Sequence, residues 1–131
     1  MSYLIDSDYV ADYLGAKPYA TELLSSLLAE GISISLITFG EIYEGIYYGR
    51  DPEKTEEVFQ RFLRVADTLP LTKPITQRFA QIRGELRRTG NIIGDFDILI
   101  AATAISHHLT LVTRNIKDYQ RIPQLNLYHS G

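Results

Sequence analysis

The chain contains no cysteine. It can therefore form no disulfide and offers no thiolate, so any metal it holds must be bound by oxygen or imidazole. The absence of cysteine is compatible with a reducing compartment. Long apolar runs are also missing. No stretch approaches the roughly 20 residues that a membrane-spanning helix needs. The N-terminus has no basic segment and carries Asp6 and Asp8 where a secretory signal would be apolar. These features predict a cytoplasmic protein with no membrane association. Net positive charge is lacking too. At −3 overall there is no general basic field, so binding of nucleic acid would need a local patch or bridging metal ions.

What is present fits one globular domain over residues 1–131. The apolar share is 45% and the charged share 22%, ordinary values for a folded protein. There is no internal repeat, low-complexity tract or linker. Apolar spacing alternates between short strands and amphipathic helices. Strands are predicted at Tyr3 to Ile5, Ile32 to Leu36, Thr68 to Leu71, Leu109 to Thr113 and Leu125 to Tyr128. Helices are predicted between them: one capped by Ser7, one carrying Leu23, Leu24, Leu27 and Leu28, and one starting near Thr38. Further helices follow around Val58 to Leu63 and Ile75 to Leu86. The segment Phe96 to Ile105 is nearly all apolar and rich in alanine, which predicts a buried helix. Strands separated by helices imply parallel βαβ units. The predicted fold is a three-layer α/β/α sandwich around a mostly parallel sheet of four to five short strands.

In open α/β sheets, ligands bind beyond the carboxyl ends of the strands. The acids gather at that edge. Asp6 ends the first strand. Glu41 lies early in the helix after the second. Asp95 and Asp97 open the buried helix. Asn115 and Asp118 follow the fourth strand. Each also has an ordinary structural role open to it. Asp6 suits a turn, and Thr38-x-x-Glu41 matches a capping box. Asp95 suits an N-cap, Asp97 a first-turn acid, and Asn115 a loop. The joint pattern carries more information, because four separate segments bring oxygen ligands to one edge. Clustered carboxylates raise one another's pKa, and a divalent cation relieves the repulsion. Mg²⁺ or Mn²⁺ prefers such oxygen donors. Such an ion can activate water and neutralise a phosphodiester under attack.

The run from Asp97 to Asn115 (DILIAATAISHHLTLVTRN), followed by Ile116-Lys117-Asp118-Tyr119, resembles the C-terminal signature of PIN domains of the VapC toxin type. Leu4-Ile5-Asp6-Ser7 resembles the opening strand and first acid of that family. Ser35 to Glu41 (SLITFGE) resembles its second motif. The resemblance implies a PIN-like fold and a metal-dependent endoribonuclease, the toxin of a VapBC toxin–antitoxin system. It further implies hydrolysis of RNA phosphodiesters by metal-activated water, dimerisation, and inhibition by a VapB-like antitoxin. It assigns catalysis to Asp6, Glu41, Asp97 and Asn115, and binding of Mg²⁺ or Mn²⁺ to Asp6, Asp97 and Glu41. The fourth acidic position of the family falls on an amide, Asn115, and Asp95 is expected to supply the missing charge. Ser7, Thr38, Thr113 and Asp118 are expected to support the carboxylates.

Arg114 and Lys117 are the expected phosphate contacts. Lys73, Arg78, Arg83, Arg87 and Arg88 form a further basic group, read here as a solvated helix face. Tyr43, Tyr47 and Tyr48 exceed what one core-facing stripe needs, which suggests a surface for the antitoxin or a second copy. His107 and His108 end the buried helix and suit its C-terminal dipole. Two other functions remain open at this point. One is a degenerate PIN module that binds RNA or protein without catalysis. The other is a haloacid-dehalogenase-like phosphatase, because Asp6-Ser7-Asp8-Tyr9-Val10 fits its D-x-D-x-[TV] motif.

Overall fold

A computed structural model describes residues 2–129. Its first strand, β1 (Tyr3–Ile5), is too short to be stable alone, yet it is the centre of the molecule. Leu4 and Ile5 are both fully buried, and successive strand residues point to opposite faces. Leu4 therefore belongs to one apolar core and Ile5 to the other. This is the three-layer arrangement expected from the sequence.

The remaining strands are β2 (Ile32–Ser35), β3 (Ala66–Leu69), β4 (Thr110–Val112) and β5 (Asn126–Leu127). They form one sheet in the order β3-β2-β1-β4-β5. All four pairings are parallel, so the sheet is wholly rather than mostly parallel. The third strand begins and ends two residues before its predicted position. Pro70 explains the end, since it cannot donate to a ladder.

Helices α1 (Ser7–Leu14), α2 (Pro18–Leu27), α3 (Leu36–Tyr47) and α4 (Pro52–Phe62) supply the core around Ile5, Ile34 and Val112. Helices α5 (Lys73–Arg88) and α6 (Asp95–Ser106) supply the core around Leu4 and Leu111. The short α7 (Ile116–Tyr119) adds the fully buried Tyr119 to the latter. In α6, Ala101, Ala102 and Ala104 are completely enclosed. Their small side chains let the helix lie close to both the sheet and α5. A single 3₁₀ turn, Leu28–Glu30, precedes β2, and Gly31 makes the reversal with φ of 95°, a value that favours glycine. No helix among the described residues is long and apolar enough to cross a membrane.

Two predicted caps fall elsewhere. The first helix is capped by Asp6, whose side chain accepts from the Ser7 N–H. Ser7 is the first helical residue rather than the cap. The third helix is capped by Ser35, which accepts from the Thr38 N–H at 3.0 Å. Its first residue, Leu36, lies two residues before Thr38. Glu41 thus sits beyond the first turn and has no capping role.

Candidate active site

The chain runs outward through β1, β2 and β3 on one side and returns to place β4 against the other side of β1. The carboxyl edge between β1 and β4 is the switch point where open α/β sheets bind ligands. Ile5 pairs with Val112, and the Asp6 N–H extends the ladder to the Val112 carbonyl at 2.9 Å. Asp6 and Thr113 therefore meet just beyond the paired residues. The Thr113 hydroxyl lies 2.7 Å from Asp6 Oδ2 and 3.4 Å from Asp8 Oδ2. One hydroxyl proton cannot serve both, and the shorter contact with Asp6 is the better hydrogen bond.

Asp6 is only 6% exposed. Burial pushes its carboxyl up to about 7, and the neighbouring Asp8 charge adds to the rise. The Thr113 hydroxyl and the Ser7 N–H oppose the shift, and Asp97 contributes a smaller increase. Asp97 also titrates above its ordinary range, chiefly through burial. Donation from the Tyr119 hydroxyl opposes this rise, while Asp118 and Asp8 reinforce it. The Tyr119 hydroxyl stands 3.3 Å from Asp97 Oδ1, and its own pKa is raised by burial and by the Asp6 and Asp97 charges.

Helix α6 leads directly into the amino end of β4, so its N-terminus is brought to the carboxyl edge. Asp97 lies in its first turn, where the unpaired N–H groups favour an anion. Glu41 joins from α3: the Ser7 hydroxyl lies 2.6 Å from Glu41 Oε1 and 3.0 Å from Thr38 Oγ1. The buried Thr38 is held in turn by Ser35. Ser7 and Thr113 thus hydrogen-bond to Glu41 and Asp6, and Thr38 is linked to Glu41 only through Ser7. The structure brings Asp6, Glu41 and Asp97 to one edge and ties each to a hydroxyl.

Asp95 departs from expectation. It is the first residue of α6, not its cap, which is Gly94. Its Oδ1 lies 2.7 Å from Arg83 Nε in a solvent-exposed ion pair, so the carboxylate is turned to α5. Asp8 stands closer to the part expected of a fourth acid. Its Oδ2 accepts from the Arg114 N–H at 2.9 Å, and its charge acts on both Asp6 and Asp97. The sequence signal for it was its place two residues after Asp6, at the mouth of the same helix. Asn115 is fixed by its N–H to Thr113 Oγ1 at 3.0 Å and by Nδ2 to Asp118 Oδ2 at 3.2 Å. With Nδ2 assigned to that bond, its carbonyl oxygen is left as a neutral donor to a cation.

The expected phosphate contacts differ in their restraint. Arg114 Nε pairs with Asp12 Oδ2 at 2.9 Å, whereas Lys117 is an exposed residue of α7. Asp12, which nothing in the sequence singled out, is buried in α1. It also takes a hydrogen bond from the Tyr19 hydroxyl and pairs with Lys17. The Tyr19 bond, with help from Arg114 and Lys17, holds its carboxyl below the usual range despite burial.

The donor set suits a hard cation. It consists of carboxylates, an amide and hydroxyls, without thiolate or imidazole. Among the described residues no group of three or more acidic or imidazole side chains is arranged to hold a metal ion together. Mg²⁺ does not require one, since it keeps several waters and commonly takes one or two carboxylates plus substrate phosphate.

Comparison with known proteins points the same way. The family model described as "PIN domain" matches residues 3–125. "Ribonuclease VapC2" of Rickettsia felis is 33% identical over 129 residues, which cover 97% of this chain and 96% of that protein. "tRNA(fMet)-specific endonuclease VapC" of Shigella flexneri is 28% identical over 122 residues, covering 93% and 92%. Among solved structures, VapBC2 from Rickettsia felis bound to a promoter DNA fragment superposes with a TM-score of 0.92. That match is 29% identical and covers 100% of both chains. DNA-bound VapBC from Salmonella typhimurium gives a TM-score of 0.90 at 27% identity, covering 98% of this chain and 97% of that one.

Proposed function

The chain belongs to the PIN-domain family, and from that premise we propose that it is a VapC-type endoribonuclease, the toxin of a toxin–antitoxin pair. One observation carries the reading. A hydrogen bond between residues 107 positions apart, Thr113 to Asp6, fixes a buried carboxylate at the sheet's switch point. Glu41 and Asp97 reach the same edge from two other elements. The relatives named above, ribonucleases and an endonuclease, support cleavage of RNA.

Asp6 and Asp97 would hold Mg²⁺ or Mn²⁺, with Glu41 binding directly or through water and the Asn115 oxygen completing the donor set. When bound, the cation supplies charge neutralisation at the phosphodiester and makes water a stronger acid. The protein's part is positional and electrostatic. Ser7 keeps Glu41 facing the Asp6 segment. Thr113 fixes one oxygen of Asp6 and leaves the other available apart from the Ser7 N–H. Tyr119 steadies Asp97 from beneath. The proton that burial favours on Asp6 must leave before that carboxylate can act as a ligand. Arg114, pinned by Asp12, and Lys117 would bind the phosphates that flank the cleaved bond.

A VapB-like antitoxin and a second copy of the chain are the proposed protein partners. The solved VapBC complexes support the former. On α3 the Tyr43 hydroxyl bonds to Glu56 and Gln60. Tyr47 and the following Tyr48 are 65% and 88% exposed, more aromatic surface than a solvent-facing helix end needs.

The deciding experiment is Mg²⁺-dependent cleavage of total RNA with mapping of the cut ends, for wild type and Asp97→Asn. Cleavage by wild type alone is the expected result. Undiminished cleavage by the variant would remove Asp97 from the mechanism.

A further inference from the structure

Beside Thr113 the surface opens into a pocket of about 230 Å³ lined by Tyr9, Val112, Thr113, Ile116, Tyr128 and His129. Three parts of the chain build it: α1, the β4–α7 junction, and the residues after β5. Both aromatic walls are anchored. The Tyr128 N–H donates to the Leu111 carbonyl at 2.9 Å, and its ring meets Tyr3 edge-on with centroids 5.9 Å apart. The Tyr9 ring meets Tyr19 edge-on at 5.7 Å, and the Tyr19 hydroxyl is bonded to Asp12. The core packing of the fold does not require this hollow, because Tyr9 and Tyr128 only border the apolar cluster.

We propose that this pocket receives one unstacked nucleobase of the RNA, next to the phosphodiester held at the carboxylates. The inference rests on the nuclease reading of the site. Three observations select this occupant. The volume falls below the roughly 300–1,000 Å³ of pockets that enclose drug-sized ligands, which suits one ring system rather than a folded peptide. The lining joins aromatic faces to polar edges at His129 and Thr113, the combination by which single-stranded RNA is read once its bases are splayed out. Thr113 is shared, since its hydroxyl bonds to Asp6 while its side chain borders the pocket. Base site and phosphate site are thus neighbours, as they are in a nucleotide. Arg114, next in sequence and fixed by Asp12 at 2.9 Å, adds a cation for the adjoining phosphate.

The test uses the full chain and a short mixed-sequence single-stranded RNA carrying thiouridine, with Ca²⁺ in place of Mg²⁺ to suppress cleavage. After irradiation, crosslinked residues are mapped by mass spectrometry. Adducts at Tyr9, Tyr128 or His129 are expected. Bound RNA that crosslinks only elsewhere overturns the proposal. In parallel, Ile116→Trp fills the pocket and Tyr9→Ala removes a wall. Each should raise KM for RNA about tenfold, more than it lowers kcat, in line with loss of one stacked base. Tyr9→Phe should restore it, and an abasic substrate should erase the difference between variants. Equal KM values across the series, with cleavage intact, overturn the pocket and leave the nuclease reading standing. Absence of any RNA cleavage by wild type in Mg²⁺ overturns both. If Ile116→Trp blocks inhibition by the cognate antitoxin while RNA binding is unchanged, the pocket belongs to a peptide and the proposal falls.

Discussion

The carboxylates stand on two walls, one at the β1–β4 edge and one at the mouth of α6, and the two are held in different ways. Along the β1–β4 edge, Asp6 is tied by the backbone ladder, a cap bond to Ser7 and the Thr113 hydroxyl. Asp8 is tied to the Arg114 N–H, and Glu41 to Ser7. At the mouth of α6 the restraint is sparse. Asp97 has one contact of 3.3 Å, from Tyr119. The preceding Gly94 offers no side-chain cap, and a methyl group placed there would lie 3.9 Å from Asp97 Oδ2, an ordinary contact. Ile92 and Phe96 beside it are 86% and 54% exposed. One wall is preorganised by the sheet, while the other is a helix end with room for adjustment. Were a hydrated cation bound here, this pairing would offer it one fixed and one adjustable carboxylate.

The largest effect should come from the sparse wall. Asp97→Asn keeps the shape but removes a ligand charge, and should cut metal-dependent cleavage by more than about 100-fold, beyond the range of an outer-shell partner. Its melting temperature without metal should stay equal or rise, because a half-buried charge is gone. A drop in melting temperature would show that the wall depends on Asp97 for its shape.

Thr113→Val tests the fixed wall. It strips the hydroxyl from Asp6, Asp8 and the Asn115 N–H together. Activity should fall about 10- to 100-fold and stability by about 1–3 kcal/mol, the cost of leaving buried groups unpaired. Urea denaturation and single-turnover cleavage measure the two. Loss of activity without loss of stability would mean that the wall is held by the ladder alone.

A third test is pH. In the metal-free fold Asp6 titrates at about 7 against an ordinary 3.8. The folded chain therefore binds more protons than the unfolded chain between those values. Metal-free stability should fall as pH rises through that window, and Asp6→Asn should flatten the slope in thermal melts. Saturating Mg²⁺ should oppose the fall by binding the ionised form. The smallest effect should be Arg83→Ala. It releases Asp95, an exposed pairing, and should cost less than about 1 kcal/mol with cleavage unchanged. A large loss of cleavage would return Asp95 to the site.

Much of this arrangement was legible in the sequence, and the exceptions have physical causes. Apolar periodicity located the elements, since the central strands β1, β2 and β4 are buried between two layers. Strand ends slipped where proline or small residues weakened the signal, as at Ala66 and Pro70. The cap of α3 was misplaced because Thr38-x-x-Glu41 fits the capping box while Ser35 has no Glu or Gln three residues on, and only the end of β2 shows that Ser35 is the cap. Asp6, Glu41 and Asp97 could be read because each follows or opens a strongly marked element. Asp12 could not be placed and Asp8 only by its nearness to Asp6, because their partners, Thr113 and Arg114, lie about a hundred positions away. Those contacts exist only through the register of β1 against β4.

That register also sets when the site can exist. The first strand is central, and it waits for a neighbour that begins at Thr110. During synthesis, domains form as the chain emerges from its N-terminal end. Asp6 therefore leaves the ribosome early but cannot gain its bond to Thr113 until 107 further residues have been added. Translation itself thus delays assembly of the carboxylate edge, because the first acid has to wait for β4 to reach it.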